Sequence, residues 1–227
     1  MGLSAVEGFI KSVAMTIVSE IGDKTFIVAA LMAMRHPRRL VFAGAFGALA
    51  MMTMLSAFFG WAAPNLISRR VTHKLATVLF FIFGFRSFWD AFTKDDGEPS
   101  ELAEVEAELS QNSKGSKNVP GNKDDDLKKQ QRPFLRMIFS PILLEAFSVT
   151  FFGEWGDKSQ IATIGLAAEE SAVGVALGGI LAHFLCSTIA VCGGKHLASR
   201  ISEKTVAYCG AFVFIAFGVH SLLSNGH

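Results

Sequence analysis

The sequence is short of charge. Asp, Glu, Lys and Arg make up 18% of its 227 residues, where ordinary soluble domains carry about 25%. A balance of +1 lacks the basic excess of a nucleic-acid-binding protein. Cysteine is scarce too. Cys186, Cys192 and Cys209 are an odd number lying within or beside the last two apolar segments, which argues against a disulfide framework and for small, reduced, buried thiols. No cleavable signal peptide or Arg/Ser-rich transit peptide precedes Phe9-Ile10, so the first apolar segment is expected to serve as its own signal. There is neither a Gly-rich phosphate loop, which leaves ATP-driven pumping unsupported, nor a nucleophile–base constellation.

Apolar residues fill the space, at 51% of the chain, and several runs reach the roughly 20 residues a helix needs to cross a bilayer core. The chain reads as an all-α membrane protein with six transmembrane helices, near 5–34, 40–63, 72–92, 141–168, 173–193 and 205–223. Arg35-His36-Pro37-Arg38-Arg39 closes the first, and Trp61 and Trp89 mark interfacial ends of the second and third. Residues 93–137 form a polar linker whose centre, Ser110 to Asp126, has almost nothing to bury and is expected to be disordered. Before that centre, Glu101 to Leu109 reads as a short acidic, solvated helix with Leu102, Val105 and Leu109 along one stripe.

The chain repeats itself. Glu20-Ile21-Gly22-Asp23-Lys24-Thr25 returns as Glu154-Trp155-Gly156-Asp157-Lys158-Ser159, an offset of 134 residues (154 − 20). At the same offset Thr16 meets Thr150, Gly44 meets Gly178, Gly60 meets Gly194, and Phe83-Gly84 meets Phe217-Gly218. Two three-helix units are therefore expected, 5–92 and 138–223, joined by the linker. Three spans per unit is an odd number, so the second must enter from the opposite side. That is a 3+3 inverted repeat, which places transport sites near the midplane between its halves. Paired glycines suit close helix approach in lipid. Arg35, Arg38 and Arg39, eight Lys/Arg from Lys94 to Arg136, and Lys195, Arg200 and Lys204 collect on one face, against Lys11, Arg69, Arg70 and Lys74 on the other. The positive-inside rule makes the first face cytosolic and leaves both termini lumenal or external.

Each hexapeptide places three ionisable groups in an apolar run, at roughly 2.5–3.5 kcal/mol apiece on an insertion scale. Such groups are functional by default. Residues three apart share a helix face, which puts Glu20 beside Asp23 and Glu154 beside Asp157. Gly22 and Gly156 allow each helix to break and offer backbone carbonyls. Thr25 and Ser159 add hydroxyls, and Gln160 adds an amide. If the halves face each other, Glu20, Asp23, Glu154 and Asp157 converge on one cavity rich in oxygen. Such a site selects Ca²⁺, Mn²⁺ or Mg²⁺, and the lack of His or Cys within the hexapeptides argues against zinc or copper. Lys24 and Lys158 are expected to compensate the acids. Four carboxylates and two lysines sum to −2 (−4 + 2), which one divalent cation or two protons neutralise, so the two can compete and alternating access turns competition into exchange. Mutual repulsion makes protonation of the carboxylates feasible at modest pH. His183 reads as a packing residue rather than a proton relay. Met51, Met52 and Met54 read as packing, and Glu145, Arg86 and Asp90 as interfacial anchors.

The duplicated E-x-G-D-[KR]-[ST] resembles the signature of small cation/proton antiporters once catalogued as an uncharacterised protein family, the Ca²⁺/Mn²⁺–H⁺ exchangers of Golgi, chloroplast and bacterial membranes. The likeness covers essentially the whole chain and is greatest to the endomembrane branch, particularly short plant-type members. It implies Mn²⁺ and Ca²⁺ loading of a secretory compartment in exchange for lumenal protons. It carries Glu20, Asp23, Glu154 and Asp157 over as cation ligands, with Thr25 and Ser159 supporting. It implies no cofactor, no enzymatic activity and no nucleic-acid partner. The short N-terminus argues against a chloroplast address and leaves Golgi and endoplasmic reticulum open. Two other readings compete. A proton-coupled exporter of a small organic solute would want a roomier, less acidic site. An intramembrane hydrolase activating water with paired carboxylates would need one asymmetric acid/base pair rather than two equivalent motifs.

Overall fold

A computed structural model describes residues 3–66, 68–93, 140–198 and 203–224. The expected linker, with its acidic helix at Glu101 to Leu109, lies outside the described residues. All regular elements among the described residues are helices: α1 (Leu3–Glu20), α2 (Lys24–Arg35), α3 (Arg38–Leu66), α4 (Arg69–Thr93), α5 (Pro141–Gly153), α6 (Lys158–Glu169), α7 (Ala172–Ala198) and α8 (Glu203–Ser224).

Four of them, α3, α4, α7 and α8, are long and apolar enough to cross a membrane. The first and fourth expected spans are not continuous helices. The chain unwinds at 21–23 and again at 154–157, leaving α1 and α2, then α5 and α6, as broken pairs. The sequence dictates the break. Gly22 and Gly156 have φ of +84° and +81°, a region that costs other L-residues roughly 1–2 kcal/mol. Glu20 and Asp23 consequently do not share a helix face as expected. Glu20 ends α1, whereas Asp23 is the extended N-cap of α2. A Cβ at Gly156 would have nothing within 4 Å, so Gly156→Ala strains the backbone alone. It should lower the unfolding temperature of detergent-solubilised protein only slightly, corresponding to about 1–2 kcal/mol; an unchanged melting curve would mean that the turn adapts.

The two sequence halves interlock. α1 packs on α7 and α5 on α3, α2 packs on α7 and α6 on α3, and α4 pairs with α8. Backbones touch where glycine removes the side chain: a Cβ at Gly44 would lie 2.5 Å from the Leu143 carbonyl oxygen, and one at Gly178 only 2.4 Å from that of Phe9. These contacts are counterparts at the 134-residue offset. The buried clusters are built largely from alanines, including Ala29, Ala30, Ala45 and Ala190, around Phe26, Phe80, Phe214 and Leu166. Buried hydroxyls turn back on their own helices, Thr53 to the Leu49 carbonyl, Thr77 to that of His73 and Thr163 to that of Ser159. That satisfies them without water. Phe85, Trp89, Phe92, Phe212 and Leu223 lie exposed on α4 and α8, an apolar surface suited to lipid.

Candidate functional site

The two breaks meet inside the molecule. Glu20 and Glu154 are both 3% exposed, and burying such groups demands partners. Thr25 Oγ1, from the first break, donates to Glu154 Oε1 of the second. The Asp23 and Glu154 carboxyls are within hydrogen-bonding reach of each other. A Cβ on Gly153 would meet the Thr25 methyl at 3.2 Å, so glycine lets the two segments close. Glu20 is repelled by Glu154, Asp23 and Asp157 and attracted by Lys158. The structure thus brings Glu20, Asp23, Thr25, Glu154, Asp157 and Lys158 into one electrostatic neighbourhood. Lys24 is exposed.

The equivalent residues are used differently. Asp157 caps α6 by accepting from the Ser159 backbone N–H at 3.1 Å. Asp23 holds the same N-cap position on α2 without a side-chain cap bond and stands 3.5 Å from Thr25 Oγ1 instead. Gln160 accepts from the Gly156 N–H at 2.8 Å and so satisfies the break rather than the site. Both breaks direct the positive N-terminal ends of α2 and α6, and the negative C-terminal ends of α1 and α5, toward the middle of the fold.

The four carboxylates do not line one cavity, as expected: Glu154 and Glu20 border separate cavities, and Asp23 and Asp157 line neither. One, of about 20 Å³, is lined by Glu154, Ser159, Gln160, Thr163, Thr53, Ser56 and His183, with Leu49 and Met52. The other, of about 10 Å³, includes Glu20, Thr25, Phe26, Ala29, Leu49, Cys186 and Ala190. Among the described residues no three His, Cys, Asp or Glu side chains are grouped to hold a metal ion.

Three features were missed in the sequence. His183 is buried with Nδ1 3.5 Å from Glu20 Oε1, and it lines the larger cavity. The hydroxyls of Thr53, Ser56 and Thr163 line that cavity too, although nothing in the local sequence separates them from other helix hydroxyls. A charged cluster also ties four helices together. Lys11 of α1 lies 2.6 Å from Glu170, just beyond α6, and 2.8 Å from Glu7. His73 Nδ1 of α4 lies 2.9 Å from Glu169 of α6, which also accepts from Ser221 Oγ of α8 at 2.7 Å. Glu145 and Arg86 are exposed, as anchors should be. Cys186 is buried and free, while Cys192 and Cys209 are exposed and free.

The chain resembles known proteins over nearly its whole length. The family model described as divalent cation/proton antiporter GDT1 matches residues 8–95 and 142–227, which span both broken helices. GDT1-like protein 5 of Arabidopsis thaliana is 60% identical over 223 residues, covering 97% of each chain. GDT1-like protein 5 of Oryza sativa subsp. japonica is 59% identical over 228 residues, 99% of this chain and 98% of that one. GDT1-like protein 4 of Arabidopsis thaliana is 59% identical over 225 residues, 98% of each. No solved structure matches.

Proposed function

Because the chain belongs to the GDT1 family of divalent cation/proton antiporters, a transporter family and not an enzyme family, we propose that it exchanges cytosolic Mn²⁺ or Ca²⁺ for lumenal protons at the junction of its two broken helices. The observation that carries this reading is the bridge between the halves: Thr25 bonds Glu154, and Asp23 lies within hydrogen-bonding reach of the same carboxyl. Two carboxyls so close need a proton or a cation between them. A ligand that pulls Glu20, Asp23, Glu154 and Asp157 together would therefore lock the halves, and its release would let them part. Thr25 and Ser159 supply hydroxyl ligands in the loaded state, with the amide of Gln160 beside them. Lys24 and Lys158 offset part of the negative charge, and two protons replace each divalent cation.

In this reading each broken pair is a single span, and the chain has six spans in a 3+3 inverted repeat of 5–92 and 138–223. The reciprocal packing of α1 on α7 and α5 on α3 supports it. So does length: α5 and α6 together have 25 residues (13 + 12), about 38 Å of helix against a core near 30 Å. The face carrying Arg35, Arg38 and Arg39 is cytosolic together with the linker 93–137. Both termini are lumenal, where Glu7 and Glu170 already pair with Lys11. The compartment is Golgi or endoplasmic reticulum. A cavity of about 20 Å³ suits a bare cation or one water better than an organic solute, which weighs against the exporter reading.

The test is Mn²⁺ and Ca²⁺ uptake into proteoliposomes with an acidic interior. Uptake should require the pH gradient, release internal protons, stay electroneutral and vanish in Asp23→Asn and Asp157→Asn. A folded wild type that moves neither ion would sink the proposal, and a current sustained under balanced gradients would overturn the two-proton stoichiometry.

A further inference from the structure

The two cavities are counterparts in the repeat, yet their linings differ in chemistry. Subtracting 134 from Thr163 and Gln160 gives Ala29 and Phe26; adding 134 to Ser56 and Met52 gives Ala190 and Cys186. Each residue of these pairs lines its own cavity. At these positions the larger cavity has hydroxyls and an amide where the smaller has alanine and phenylalanine, whereas Ser159 and Thr53 have hydroxyl counterparts in Thr25 and Ser187. Size differs in the same sense. A water needs roughly 10–15 Å³, so about 20 Å³ accommodates one and about 10 Å³ lies at or below the limit.

The polar cavity also contains unpartnered groups. Ser56 Oγ, in a residue 1% exposed, and His183 Nδ1, in one 6% exposed, have no hydrogen-bond partner among the described residues. His183 Nδ1 is 3.5 Å from Glu20 Oε1 without forming a hydrogen bond. Thr53 and Thr163 donate to their own helices but keep lone pairs free to accept.

The two cavities point to opposite faces. α6 runs from the break to Glu169, which bonds His73 and Ser221, and Glu170 beyond it meets Lys11. Ser159, Gln160 and Thr163 therefore step from the site toward that face. α3 runs the same way from Arg38, so Thr53 and Ser56 lie beyond its midpoint in the same direction. Phe26 and Ala29 step along α2 toward Arg35 instead, and Cys186 and Ala190 follow α7 toward Ala198.

We propose that the cavity beneath Thr53, Ser56, Gln160 and Thr163 is a hydrated half-pathway, holding a water between Glu154 and the face of Lys11 and Glu170. The counterpart leading to Arg35 is dry and closed by Phe26, Ala29 and Ala190. Neutral hydroxyls suit water and protons; a dehydrated divalent cation requires the carboxylates beside them. The pathway rests on the exchange reading for its purpose but not for its existence.

Radiolytic hydroxyl-radical labelling of purified protein tests it, because radicals form from water and oxidise the sulfur side chains beside it. Met52 and Cys186 are counterparts, one in each cavity, buried to 4% and 2% exposure. Relative to the same residue in unfolded protein, Met52 should oxidise severalfold faster than Cys186, and Ser56→Ala with Thr163→Ala, which gives the polar cavity the residues of its counterpart, should slow Met52 oxidation. The same double variant should slow proton-driven Mn²⁺ uptake about tenfold, as expected for a lost hydrogen-bonded relay, without changing the Mn²⁺ concentration that gives half-maximal rate. Equal oxidation of Met52 and Cys186 overturns the proposal, as does an unchanged transport rate in a double variant whose wild type exchanges. A wild type that labels as expected but does not exchange removes the antiport reading and leaves the hydrated cavity standing.

Discussion

Glu154→Gln is expected to lower proton-driven cation uptake by about 100-fold or more while the protein stays folded. Hydrogen bonds and contacts to a charged group are worth about 1.5–3 kcal/mol each, and every 1.4 kcal/mol is about tenfold. Glu154 engages Thr25 and Asp23 across the junction of the halves, so its charge is involved in more than one such contact. Glutamine keeps the shape and still accepts from Thr25, which protects the packing around a side chain that is 3% exposed. It has no charge for a cation and no carboxyl proton to release. Asp157→Asn is the companion case, because asparagine caps a helix as well as aspartate does and α6 should remain intact. Uptake in proteoliposomes, read beside the melting curve of the same preparation, separates lost function from lost fold. Activity above a tenth of wild type in a normally melting Glu154→Gln would show that this carboxylate is not a shared ligand.

Gly178→Ala and Gly44→Ala, counterparts at the repeat offset, should each be strongly damaging to the fold. The added Cβ would lie 2.4 Å from the Phe9 carbonyl oxygen and 2.5 Å from that of Leu143, respectively. The obstacle is backbone in both cases, so no rotamer change relieves it and the helices must separate. Overpacking of this kind costs typically about 1–3 kcal/mol, sometimes more, and here it falls on the contacts that hold one half to the other. Gly47→Ala is the control, since its Cβ would meet only a Phe147 ring carbon at 3.9 Å. Fluorescence-detected size exclusion after heating should show Gly178→Ala and Gly44→Ala losing the monodisperse peak well below wild type, with Gly47→Ala unchanged. Equal melting of all three would mean that the helices have slack at these crossings.

Much of the architecture was legible because bilayers impose simple rules. Apolar runs near α3, α4, α7 and α8 marked their helices to within a few residues, since chain length in hydrocarbon is set by thickness. The break in each first span was legible in Gly22 and Gly156, and the duplication at one offset marked which residues correspond. Sequence periodicity failed just where the helix stops. Glu20 and Asp23 look like neighbours on one face, but a positive φ between them turns Asp23 into a cap. The closeness of His183 to Glu20 was not legible because the two lie 163 positions apart (183 − 20), and no local pattern records that distance.

The sequence by itself determined that this is a helical membrane protein of duplicated halves with acidic breaks, because hydropathy, glycine and repeated ionisable residues act over short stretches of chain. Only the tertiary structure decided which residues meet. It set Thr25 and Asp23 of one break against Glu154 of the other and held Asp157 in its own cap. It also divided the expected single cavity into a polar half and an apolar one. Repeated motifs can specify equivalent positions, but equivalent positions become unequal once each is packed against the other half's different residues.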